Sequence, residues 1–190
     1  MSVEANAVQL STIVDPTTYD TRGFCNGFEL RRHEFEGEAN EGSRQARSDW
    51  IRRIGPIEKF GNCNPYSGHF AALVLPLCIP ERLRLISYIF EYAFMYDQHL
   101  ESAERAALNK DSGDAGLDEV ELRNIKSTMG TKQMQSKMQL TLLKTDPACA
   151  KVVIEAWREM VATTAELDKK KMFGNLEEYV EYRIIDTGAP

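Results

Sequence analysis

The 190 residues contain no closely spaced cysteine pair, no histidine cluster and no internal repeat. Each absence excludes something. Cys25, Cys63, Cys78 and Cys149 form no CxxC motif, so neither a structural zinc site nor a redox pair is indicated. Buried free thiols in a reducing compartment are the expectation. His33, His69 and His99 are too scattered to build a zinc cluster. The N-terminal stretch MSVEANAVQLSTIVDP has no basic start and no long apolar run. Neither a signal peptide nor a membrane span is expected, and a cytoplasmic location follows as the default. Basic residues are outnumbered, 23 against 29 acidic, giving a net charge of -6. That argues against nucleic acid as the main partner. A phosphorylated substrate stays compatible, because a metal cation can bridge two anionic groups.

What is present points to helices. The length suits one domain with a real core. Residues 1–44 read as an N-terminal segment and loop, with a short β-like run from Val8 to Val14 and a turn at Asp15-Pro16. The polar stretch Glu34 to Ser48, with Gly37 and Gly42, reads as a loop leading into a helix around Gln45–Arg53. Residues 55–69 read as another loop. Phe70 to Leu77 is a short apolar run that suits a strand or a buried helix equally. A long helix is expected from Pro80, with Glu81 in its first turn. Leu83, Ile86, Phe90, Ala93, Phe94 and Asp97 share one of its faces, and Glu101 extends that face. Asn109 to Gly116 reads as a loop. A second long helix is expected over about Asp118 to Lys144, with Leu122, Ile125, Met129, Met134, Met138 and Leu142 packing inward. Asp146-Pro147 starts a third, carrying Val153, Trp157, Met160 and Val161 on one face. A last helix is expected from about Leu176 to Thr187. The predicted fold is an all-α bundle.

Two carboxylate-bearing patterns could carry chemistry. Asp97 and Glu101 are four apart, so both carboxylates lie on one helix face. Oxygens at that spacing suit a hard divalent cation such as Mg2+. They suit a solvated acidic helix end as well. Asp97 continues an apolar stripe, however, and a carboxylate there needs a partner or a water-filled cavity. Arg183 and Asp186 are three apart and can pair on one face. The Arg fork fits phosphate oxygens, with Asp holding the fork in place. An ordinary intrahelical ion pair is the alternative. The methionine stripe reads as core, and Lys169-Lys170-Lys171 as a solvated turn.

These motifs sit in a broader pattern. The stretches VDPTTYDTRGFCNGFELRRHEF, ARSDWIRRIGP, LPLCIPERLRLISYIFEYAFMYD, KMQLTLLKTDPACAKVVIEAW and EEYVEYRIIDTGA cover almost the whole chain. In order and spacing the chain resembles the cyclase domain of fungal bifunctional terpene synthases, of the fusicoccadiene or ophiobolin F synthase type. The resemblance implies a class I terpenoid synthase-type helical bundle around an apolar cavity. It implies a terpene cyclase of secondary metabolism, acting on a C20 or C25 prenyl diphosphate (geranylgeranyl or geranylfarnesyl diphosphate) with Mg2+. By the same resemblance Asp97 is the leading metal ligand, with Glu101 at the end of the motif. Arg183 is the diphosphate sensor, Asp186 fixes it, and the carbonyl of Thr187 contributes to ionisation. Phe70 and Phe94 fall at cavity-wall positions.

The chain departs from that pattern in two ways. Where the family has DDxxD, it reads Asp97-Gln98-His99-Leu100-Glu101. No NxxxSxxxE-like second metal motif follows Arg183, and no prenyltransferase domain accompanies the cyclase. The expectation is therefore the N-terminal half of the bundle, inactive or weakly active alone, with a second chain or further sequence supplying the rest. A catalytically inactive cyclase remnant and a helical interaction protein are the alternatives.

Overall fold

The computed structural model describes residues 10–23, 27–57, 69–109, 117–165 and 172–186, and among these the side chains other than those of 100–127, 160, 161, 164, 165 and 186. Strand structure among the described residues is limited to one hairpin. Strand β1 (Ser11–Ile13) pairs antiparallel with β2 (Arg31–His33), with Ser11 opposite His33. Asp15 accepts the Thr17 N–H at 2.9 Å and caps a single 3-10 turn over Pro16–Thr18.

Six helices follow among the described residues: α1 (Glu36–Arg53), α2 (Phe70–Val74), α3 (Pro80–Asn109), α4 (Leu117–Thr145), α5 (Pro147–Ala165) and α6 (Leu176–Asp186). The all-α expectation is met. Helix α1 begins at Glu36, not near Gln45, so most of the expected polar loop is helix. Its buried residues are Ala39, Gly42, Ser43, Ala46, Asp49 and Trp50. They recur at helical spacing, but most are small or polar and so leave no apolar stripe to read. The ambiguous run at Phe70 is a helix rather than a strand.

The chain divides into two compact units, residues 1–138 and 139–190, with α4 running through the division. In the first unit α1 lies along α3. The crossing is close: a Cβ at Gly42 would stand 2.2 Å from the Arg84 carbonyl oxygen. A side chain there would force the helices apart. Ala39, Ala71, Ala72 and Leu83 form a fully buried cluster, against which Cys78 and Phe90 pack. Met134 and Met138 of α4 are buried in the same unit. Burying each such large side chain contributes about 1.5–3 kcal/mol. Met129, expected to point inward, is 58% exposed. The side chains of Leu122 and Ile125 lie outside the described residues.

In the second unit α5 packs on α6. Asp146 caps α5, accepting the Cys149 N–H at 3.0 Å. Asn175 caps α6 by accepting the Glu178 N–H at 2.9 Å, and Glu178 reaches back to the Gly174 N–H and the Asn175 amide. This reciprocal arrangement satisfies donors left open by the first helical turn. Phe173 packs edge-on against Tyr179 and Tyr182. Val153, expected to share a face with Trp157, is 44% exposed. Of the cysteines in view, Cys78 is half-buried and Cys149 exposed, so burial holds for neither in full. Cys25, Cys63 and Lys169 to Lys171 lie outside the described residues.

Candidate functional site: an aromatic stripe on helix α3

Helix α3 has two distinct faces. One carries Tyr88, Glu91, Tyr92 and Met95, all buried. The other carries Ile86, Phe90, Ala93 and Phe94, all half-buried, and ends in the exposed Asp97. The apolar stripe read from the sequence is thus only partly covered, apart from its first member, Leu83. The buried core lies a quarter-turn or more around the helix. On that core face Tyr88, Glu91 and Tyr92 each have a polar partner.

Asp49 of α1 is one hub. It pairs with Arg52 and with Lys137 of α4, and accepts the Tyr88 hydroxyl at 2.9 Å. The Lys137 ammonium also stands 4.7 Å over the Tyr88 ring. Burial works to raise the Asp49 pKa. The hydrogen bonds from Lys137 and Tyr88 and the charges of Lys137 and Arg52 outweigh it and hold the carboxyl below its ordinary range. Burial raises the Tyr88 phenol well above its usual value, and the Asp49 hydrogen bond adds to that. Tyr92 is raised by burial too, and its hydroxyl accepts from Gln135 at 2.9 Å.

A second hub is the ion pair of Arg47 and Glu91, 2.6 Å apart, with Glu91 fully buried. Beside it His69 is fully buried, its Nε2 2.8 Å from the Ser43 hydroxyl. Burial pushes the His69 imidazole down, the charges of Glu91 and Glu36 oppose this, and Arg47 reinforces it.

The open face is aromatic. The Phe70 ring meets Phe90 at 5.5 Å and Phe94 at 5.4 Å, both edge-on. Such geometry places ring edges against ring faces. Phe70 is 36% exposed, so the cluster is not sealed. Asp97 follows Phe94 by one helical turn on the same side, and the backbone of Glu101 continues the row; the Glu101 side chain lies outside the described residues. The structure therefore brings Phe70, Phe94 and Asp97 onto one surface. His99 turns the other way, its ring 5.7 Å from Trp50. Arg183 is exposed on α6 in the second unit. Asp186 closes that helix, but its side chain, like the whole of Thr187, lies outside the described residues.

Among the described residues, no three His, Cys, Asp or Glu side chains are grouped to hold a metal. No helix among them is long and apolar enough to cross a membrane. Sequence reasoning passed over Asp49, Arg47, Glu91, Ser43 and His69. One signal was available: Ser43 and Arg47 are four apart on α1, and Ser87 and Glu91 on α3, each polar pair lying at the spacing of a packed face.

Comparison with known proteins decides the lineage. No protein-family profile matches the chain. A variediene synthase of Emericella variicolor is 58% identical over 95% of the chain. The chain is homologous to fungal terpene synthases. The terpene cyclase ATR13 of Stachybotrys chlorohalonatus is 34% identical over 95% of it, and a fusicoccadiene synthase of Phomopsis amygdali 31% over 94%. The chain spans 26% of the length of the variediene synthase, 51% of ATR13 and 26% of the fusicoccadiene synthase. The aromatic stripe and Asp97 thus lie within the stretch of the chain that is similar to fungal terpene synthases.

Proposed function

We propose that this chain forms one wall of a class I terpene cyclase site. The observation that carries the reading is the α3 stripe: a half-open aromatic cluster ending, one turn on, in an exposed carboxylate. An apolar surface closed by carboxylate at one end fits a long hydrocarbon with an anionic head. The substrate class is a prenyl diphosphate, geranylgeranyl or geranylfarnesyl diphosphate. Asp97, with Glu101 a turn later, would hold Mg2+; one or two carboxylates suffice when water and phosphate complete the shell. Bound Mg2+ would supply charge neutralisation for the departing diphosphate. Phe70 and Phe94 line the hydrocarbon end and offer their π faces to the allylic cation. By the resemblance, Arg183 would act as the diphosphate sensor, Asp186 would fix its guanidinium, and the Thr187 carbonyl would contribute to ionisation. The second metal motif and the opposite wall are assigned to sequence outside these 190 residues, in a longer polypeptide or a second chain. The product enters terpenoid secondary metabolism.

Equilibrium binding of geranylgeranyl thiolodiphosphate, with and without Mg2+, tests this reading. Mg2+-dependent binding lost in Asp97→Ala is the expected result. Binding of equal strength in the variant contradicts it. The alternative, a non-catalytic interaction protein, draws on a different observation: Val152, Met172 and Leu176 are 68%, 90% and 72% exposed. It would be favoured if the chain binds no diphosphate under any condition. Alone, the chain is expected to form no terpene hydrocarbon from either substrate.

A further inference from the structure

Phe70 is the first residue of a helix only five residues long, and its ring is the centre of the aromatic cluster. Isolated helices of that length do not hold themselves together in water. Something outside α2 must fix the direction in which Phe70 leaves the backbone. The residue before it, His69, is fully buried and makes three contacts that converge on this point. Its Nδ1 accepts the Ala71 N–H at 3.2 Å, capping the first turn of α2. Its backbone N–H donates to Glu36 Oε1 at 2.6 Å. Its Nε2 lies 2.8 Å from the Ser43 hydroxyl. Because Nδ1 accepts, the neutral ring carries its proton on Nε2 and donates it to Ser43. Both outside anchors belong to α1, which lies along α3, the helix that carries Phe90 and Phe94. The imidazole is therefore the strut between the helix that presents Phe70 and the scaffold that presents its ring partners.

We infer that His69 is a positioning residue that sets the placement of the Phe70 ring in the aromatic wall, by capping α2 and tying it to Ser43 and Glu36 of α1. The groups facing the imidazole are Glu36, Ser43 and Arg47 of α1 and Glu91 of α3. Glu36 and Glu91 favour a protonated ring, whereas burial and Arg47 disfavour it, and the lowered pKa agrees with the neutral donor–acceptor form that the geometry requires. Protonation at Nδ1 would remove the cap acceptor and turn that N–H against the Ala71 N–H. His69 touches no substrate on this account; it acts through Phe70. Its part in a hydrocarbon-binding wall rests on the function proposed above, whereas its control of the ring does not.

The test separates the two. The full chain is prepared with 4-fluorophenylalanine at position 70, and the fluorine resonance is recorded for the parent chain, His69→Phe, His69→Asn and Ser43→Ala, with far-ultraviolet circular dichroism and Tm measured alongside. His69→Phe keeps a planar ring without a polar atom; His69→Asn restores a side-chain cap acceptor. A single resonance in the parent is expected, displaced or broadened in His69→Phe and partly in Ser43→Ala, and returned towards the parent position in His69→Asn. An unchanged resonance in His69→Phe with parental helix content overturns the inference. So does a resonance equally displaced in His69→Asn, because a general loss of packing would not be rescued by the cap. If His69→Phe fails to fold, Ser43→Ala against His69→Asn decides, and parental resonances in both overturn it. In parallel, affinities for geranylgeranyl thiolodiphosphate and for inorganic pyrophosphate with Mg2+ are compared. About a tenfold loss for the first and none for the second is expected in His69→Phe, as in Phe70→Ala. Equal losses for both ligands contradict a role at the hydrocarbon wall. If the parent binds neither ligand, the proposed function fails while the fluorine result still judges His69.

Discussion

Arg47 and Glu91 show what a single residue contributes here. Glu91 is fully buried, and its carboxylate pairs with the Arg47 guanidinium. Removing one partner of such a pair leaves an uncompensated charge and costs about 3–5 kcal/mol. Arg47→Ala is accordingly expected to lower the urea midpoint strongly, and Glu91→Gln in that background to recover part of the loss. No recovery would show that Arg47 acts through packing alone. His69 and Asp49 carry the pH dependence. The native His69 pKa is depressed below its ordinary 6.5, so the unfolded chain takes up a proton first as pH falls. Stability from this group is fully present above about 6.5 and declines below it, until pH passes the lower native value. The Asp49 carboxyl lies below its ordinary 3.8, so its contribution is present above 3.8 and disappears as pH falls through the native value. Between pH 7 and 5.5 the parent is expected to lose more stability than His69→Asn, measured by urea unfolding. Equal losses would mean that His69 does not titrate differently in the two states. These residues were hard to find in the sequence for a physical reason. A buried charge is recognised by its partner, and Lys137 and Tyr88 for Asp49, Glu91 for Arg47, and Ser43 and Glu36 for His69 all lie on other helices. Asp97 and Phe94 were legible because both sit on one helix, where spacing alone fixes which side they share.

Helices α1 and α3 mark the limit of pattern reading at the scale of elements. Helix α3 announces itself through Pro80, Glu81 and a long apolar stripe. The stripe gives the period but not the occupant of each face. The buried side is built from Tyr88, Glu91, Tyr92 and Met95, and the more obvious side stays half-open. Helix α1 hides for the opposite reason. It packs with Ala39, Gly42, Ser43 and Ala46, because a crossing this close has no room for large side chains. Two glycines that look alike in the sequence therefore differ in their consequences. Gly42→Ala drives a methyl into the Arg84 carbonyl and is expected to cost about 1–3 kcal/mol. That corresponds to roughly 2–4 °C of Tm per kcal/mol for a chain of this size. A Cβ at Gly37 meets nothing within 4 Å, so Gly37→Ala is expected to leave Tm unchanged or to raise it slightly. Thermal unfolding of the pair measures the contrast. The same destabilisation in both would contradict the close crossing.

At the scale of the molecule, the described residues of 139–190 leave several large apolar side chains exposed. Val152, Met172, Leu176, Val180 and Ile184 are 68%, 90%, 72%, 45% and 45% exposed. Apolar surface on this scale favours association. Light scattering coupled to gel filtration is expected to show mass rising with concentration, and Val152→Glu with Leu176→Lys is expected to reduce the rise. A monodisperse monomer at all concentrations would contradict this. The central claim proposed above, that Phe70, Phe94 and Asp97 belong to one wall of a terpene cyclase site, has a more direct test. The matched 181 residues of the Emericella variicolor variediene synthase can be replaced by the corresponding residues of this chain, at 58% identity. The chimaera is assayed with prenyl diphosphate and Mg2+, and hydrocarbons are read by gas chromatography. The account predicts a terpene hydrocarbon from the chimaera and background only from its Asp97→Ala form. A folded chimaera without product, or an Asp97→Ala form as active as its parent, would contradict it.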